Sequence, residues 1–103
     1  MITERLSFRA KYGRGDELVQ LLKATFGKFV SPEVAGGRLY TDATGPMFSV
    51  IAESDFADMA AYAKFQASAG EMFANPEFQA QFAKMTECTE SGERQLFNSE
   101  PLH

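Results

Sequence analysis

The spacing of the hydrophobic residues changes along this chain, and the order of those changes limits the folds open to it. From Ile2 to Ala10 the pattern alternates, with Leu6, Phe8 and Ala10 on one face and Arg5, Ser7 and Arg9 on the other, the two-residue repeat of a β-strand. Lys11-Tyr12-Gly13-Arg14-Gly15 breaks the alternation. Asp16 is then placed to cap a helix, with Glu17 at the positive end of its dipole. Leu18, Leu21, Leu22, Phe26, Phe29 and Val30 recur at three- and four-residue intervals and predict one buried stripe. Ser31-Pro32 ends that helix, because the residue before proline avoids the α region. Gly36-Gly37 opens a second strand, Arg38 to Thr44, and Gly45-Pro46 leads into a third, Met47 to Glu53, the two forming a hairpin.

The third strand alternates Phe48, Val50 and Ala52 with Met47, Ser49 and Ile51, and is apolar enough on both sides to be central. Ser54 or Asp55 is positioned to cap a second helix with Phe56, Met59, Ala60, Ala63 and Ala67 on its buried face. Gly70 is expected to interrupt it. Asn75-Pro76-Glu77 restarts helix with a cap, a proline at the first helical position and an acid in the first turn, and Phe78, Phe82 and Met85 form its stripe. Glu93 to Ser99 reads as a last strand, with Leu96 and Phe97 its only large apolar residues, at a sheet edge. The order β-α-β-β-α(α)-β is the split β-α-β pattern of an α+β, ferredoxin-like domain with a four-stranded antiparallel sheet. Right-handed crossovers place the helices on one face of that sheet.

At 103 residues the chain predicts a single domain, residues 1–103, with one core. A net charge of −4, and ten Lys and Arg scattered without a run, argue against nucleic acid and against anionic lipid as partners. No stretch approaches the ~20 apolar residues of a membrane span, and Met1 to Arg5 contains no apolar leader core. A cytoplasmic protein is the expectation. Cys88 is the only cysteine and His103, the last residue, the only histidine, so neither an internal disulfide nor a Cys-His nucleophile is available. A small buried hydrophobe is the expected role of Cys88. A core of this size leaves roughly 5–10 kcal/mol of net stability, to which a partner interface would add materially.

The element order, the Gly37-to-Asp42 segment Gly-Arg-Leu-Tyr-Thr-Asp, the Gly45-Pro46-Met47-Phe48 entry to strand three and the Asn75-Pro76-Glu77-Phe78 restart together resemble the dimeric α/β-barrel superfamily over nearly the whole chain. That group includes antibiotic-biosynthesis monooxygenase-like, haem-degrading, stress-responsive and NIPSNAP-like proteins. The resemblance implies a homodimer in which the bare faces of two sheets enclose a barrel interior. In this sequence that face carries Arg5, Ser7, Arg9, Met47, Ser49 and Ile51, with Tyr40 and Asp42 or their alternates from strand two. Such a mixed face suits a partner that covers it while leaving a polar-lined cavity.

Gly13-Arg14-Gly15-Asp16-Glu17-Leu18 lacks the third glycine of a dinucleotide fingerprint, and its acids would repel phosphate, so it reads as a turn and a cap. One histidine and one cysteine do not make a metal site, and the axial histidine on which haem-degrading relatives depend has no counterpart. No cofactor is expected. Oxygenation without a cofactor asks only for a dry pocket, an oriented electron-rich substrate and one acid or base group. The candidates for it are Arg9 and Arg38 to hold an anionic or carbonyl oxygen, and Tyr40 or Tyr62 with Asp42 for hydrogen bonding or proton transfer. The competing reading makes Arg9 and Asp42 structural ion-pair members and both tyrosines packing residues. Phe65, Met72, Phe73, Phe78 and Phe82 surround the helix break and are either core or the wall of an apolar pocket, in which Arg38, Tyr62, Phe65, Phe73 and Phe78 would hold a small hydrophobic or aromatic ligand. Three functions follow: an α/β-barrel protein that binds such a ligand, a cofactor-independent monooxygenase-like enzyme, and an interaction scaffold without a ligand.

Overall fold

The alternating segments become strands and the stripes become helices in a computed structural model that describes residues 1–102. The order is β1 (Ile2–Ala10), α1 (Gly15–Lys28), β2 (Val34–Thr41), β3 (Ser49–Phe56), α2 (Met59–Ala74), α3 (Pro76–Cys88) and β4 (Thr89–Asn98). The four strands form one antiparallel sheet in the order β2-β3-β1-β4. This is the ferredoxin-like arrangement, with β3 and β1 central and β4 at an edge as expected.

Register assigns every sheet residue to a face. Ile2, Glu4, Leu6 and Phe8 stand opposite Phe56, Ser54, Ala52 and Val50, and this face carries the core. Two separate clusters tie it to the helices. At one end Ala10 and Val50 pack with Leu18 and Leu22 of α1 and with Cys88. At the other, Ile2 and Phe56 pack with Tyr62 of α2, supported by Val34 and Phe65, and the Phe56 ring meets the Tyr62 ring edge-on at 5.1 Å. Cys88 is fully buried and its thiol is pushed up by desolvation, in keeping with its expected role.

Several boundaries differ from the sequence reading. Helix α1 starts at Gly15, with Arg14 rather than Asp16 at its cap position and no side-chain cap. A β-carbon on Gly15 would lie 3.1 Å from the Phe48 ring, so glycine here lets that ring close over the first turn. Strand β2 begins at Val34, before the two glycines. A register shift between Val34 and Gly36 absorbs the irregularity, and a β-carbon on Gly37 would come within 3.1 Å of the Glu53 carbonyl, so this pair permits close pairing inside a strand. Phe48 turns the chain with φ 62° and keeps Met47 off the sheet, exposed in the turn.

Strand β3 consequently runs on to Phe56 and takes in Ser54 and Asp55. The cap of α2 is Asp58, whose Oδ1 accepts the Ala61 N–H at 2.8 Å. The buried side of α2 is Tyr62 and Phe65 with Ala69 and Met72, while Met59, Ala60, Ala63 and Ala67 face outward. Aromatic rings that pack on Phe56 bury more apolar area than alanines do. Gly70 does not interrupt α2, whose break comes at Asn75, where Asn75 Oδ1 caps α3 by accepting the Glu77 N–H and Pro76 takes the first turn. Strand β4 starts at Thr89 and contains Ser91-Gly92, because glycine at 92 leaves room for the Phe8 ring. Among the described residues no helix is long and apolar enough to cross a membrane; His103 lies outside them.

Candidate functional site

The two core clusters hold the helices at opposite ends of the sheet, and the middle of the covered face stays open beneath them. There the rows led by Glu4 and Leu6 form the floor of a cleft of about 860 Å³, within the range of small-molecule sites. Leu39 of β2 and Arg94 of β4 flank the floor, Phe26 of α1 and Phe29 at its C-cap close one side, and the α2–α3 pair roofs it with Phe65, Met72, Phe73, Phe78, Phe82 and Met85. The roof aromatics support one another edge-to-face: Phe73 with Phe78 at 5.0 Å, Phe73 with Phe82 at 5.3 Å, and Phe29 with Phe78 at 5.3 Å. Phe73 and Phe82 nevertheless remain half exposed. The aromatic cluster read from the sequence is therefore pocket wall as well as core, and it encloses space without a break at Gly70.

A buried polar constellation reaches this largely apolar space. Glu4 is buried, and the Tyr62 hydroxyl donates to its Oε2 at 2.7 Å. The Gln66 amide donates to the Tyr62 oxygen, also at 2.7 Å. Desolvation, followed by the hydrogen bond to Glu4, pushes the Tyr62 phenol up, which keeps it a neutral donor. The sequence reading missed Glu4 and Gln66. The signal for Glu4 was a carboxyl in phase with Leu6, Phe8 and Ala10 on the apolar face of a strand.

The remaining candidates stand elsewhere. The Arg38 residue borders the cleft at the β2 edge, but its guanidinium lies on the uncovered face, in two hydrogen bonds of 2.8 Å to Asp55 and one of 3.0 Å to Glu53. Arg5 donates to the other Glu53 oxygen at 2.8 Å, and Thr3 to Asp55 at 2.8 Å. Hydrogen bonds from Arg38, against a smaller cost of burial, hold Asp55 down to about 2. Burial opposes ionisation of Glu53, yet the two arginines outweigh it and its pKa is lowered.

Arg9, Tyr40 and Asp42 gather toward one end of the sheet. Arg9 is paired in register with Ser49, Tyr40 with Ile51, and the Asp42 N–H donates to the Ser49 carbonyl. Arg9 lies 4.0 Å from Glu90, Asp42 accepts the Ser49 N–H at 3.1 Å, and Tyr40 is half exposed. Among the described residues no hydrogen bond joins the three to one another. Nor do the described residues contain a cluster of three His, Cys, Asp or Glu arranged to hold a metal.

No family model and no curated protein matches the sequence. Solved structures with this fold do. A NIPSNAP family protein from Agrobacterium tumefaciens superposes with a TM-score of 0.78 at 19% identity, over 98% of this chain and 94% of that one. An uncharacterized NIPSNAP domain protein from Burkholderia xenovorans gives 0.75 at 18% identity, over 100% and 98%. A variant of SnoaB, a cofactor-independent oxygenase from Streptomyces nogalater, gives 0.71 at 18% identity, over 98% and 95%. The chain shares with them the ferredoxin-like α/β fold.

Proposed function

We propose that this protein binds a small apolar, aromatic molecule in the cleft between its sheet and helices, and works as a homodimer whose two uncovered sheet faces meet. The observation that carries the ligand reading is the cleft itself: half-exposed phenylalanines line a space far larger than a packing defect, with Glu4 on its floor. A ligand would cover these rings and supply the contacts that the open cleft leaves unmade.

The homodimer is supported by the uncovered face. Glu53 and Asp55 on it are already paired with Arg5 and Arg38, so a partner can cover these two carboxylates without stranding their charge. The exposed rings of Tyr40 and Phe97 offer apolar contact on the same side.

Titration with N-phenyl-1-naphthylamine, whose emission rises in apolar surroundings, tests the ligand reading. Saturable binding is expected, weakened about tenfold by Phe73→Ala or Phe82→Ala, since covering such a ring contributes roughly 1.5 kcal/mol. Absence of binding by the unmodified protein overturns it. A second reading, cofactor-independent oxygenation, is favoured by the Glu4–Tyr62 pair, because it places a proton-accepting group in a water-poor space. Oxygen consumption across a polyphenol panel decides between binding alone and turnover.

A further inference from the structure

Glu4 is the one feature of the cleft that packing does not account for. It is 6% exposed on a floor that it shares with Leu6, Ser54 and Arg94. Tyr62 satisfies Oε2, and Gln66 in turn holds Tyr62. Among the described residues no group donates to Oε1, yet Oε1 is not sealed away, and the residue that carries it lines the cleft. An accessible acceptor that no group of the chain satisfies is open to a donor that enters the cleft.

The geometry points to Glu4 as the anchor that selects the ligand: its free oxygen accepts a hydrogen bond from a neutral O–H or N–H group on an otherwise apolar, ring-sized molecule. This rests on the cleft being a ligand site. Tyr62 and Gln66 position the carboxyl, so its free oxygen meets the donor in a fixed direction, and the surrounding rings supply contact without direction. Neutrality follows from Arg94, which borders the same wall one row from Glu4 and whose positive charge is felt at Tyr62. With that positive charge already offsetting the carboxylate, a neutral donor suffices and a second cation gains little.

Three probes of equal ring size separate the possibilities: 1-naphthol, 1-methoxynaphthalene and 1-naphthylmethylammonium, each titrated calorimetrically into the intact protein and into Glu4→Gln. The expected result is that 1-naphthol binds at least tenfold more tightly than its methyl ether. In Glu4→Gln, whose amide can present a donor instead, the two should fall within about twofold. Equal affinities in the unmodified protein, or a preference that survives Glu4→Gln, overturns the role of Glu4 and leaves the cleft reading standing. Tightest binding by the ammonium probe replaces the neutral donor with a cation and overturns the class proposed. Failure of all three to bind at millimolar concentration overturns the cleft reading itself. Should Glu4→Gln not fold, the comparison of naphthol with its ether in the unmodified protein still decides.

Discussion

Single side chains on the uncovered face carry a measurable share of the acid response. Asp55 is held at about 2, against an ordinary 3.8, first by hydrogen bonds from Arg38. A carboxyl whose pKa is lowered on folding adds stability above its ordinary value and loses it as pH falls through the lowered one. The window therefore runs from about pH 4 down to about 2. After allowance for screening at a partly exposed pair, the contribution is about 1–2 kcal/mol. Urea unfolding should find Arg38→Met less stable than the parent by about that much at pH 6, with the gap closing toward pH 2. A gap that stays constant over this range removes the pair from the account. The carboxyl proposed to anchor the ligand is the residue least legible in the sequence. In the sequence, Glu4 is one acid in a strand, and only the packing of α2 over β1 brings Tyr62 to it.

Among the secondary-structure elements, what could be read in advance was whatever depends on neighbours in the chain. Strand β1 was bounded at Ile2 and Ala10, the Asn75-Pro76 restart of α3 was correct, and so were the hairpin and the edge position of β4. The departures share a cause: glycine and cap-forming residues look like punctuation in the chain where tertiary contacts have another use for them. Gly36-Gly37 and Gly92 sit inside strands because a carbonyl and a ring approach them, and Ser54-Asp55 stays in β3 because Asp55 is held by Thr3 and Arg38. Gly70 differs from these. It lies in mid-helix, where a β-carbon would meet nothing within 4 Å, so Gly70→Ala should stabilise the protein by roughly 0.5–1 kcal/mol. Thermal unfolding checks this, and a lower midpoint would mean that the glycine serves some contact outside the chain.

At the scale of the whole molecule the sheet has two unlike faces, and the proposed dimer belongs to one of them. Sizing at micromolar concentration should give about 23 kDa, twice the 11.4 kDa chain, and Ile51→Lys, in the middle of the uncovered face, should give the monomer. A monomeric parent would reject the dimer without touching the cleft, which opens on the opposite side. That opposite side resembles an arch. Its helices rest on two abutments, one around Leu18 and Cys88 and one around Phe56 and Tyr62, with the crown between them held by ring against ring. An arch flexes most cheaply at its crown, so the proposed site would admit guests of different thickness while both footings stay intact. Selectivity in such a vessel comes from the floor and capacity from the vault.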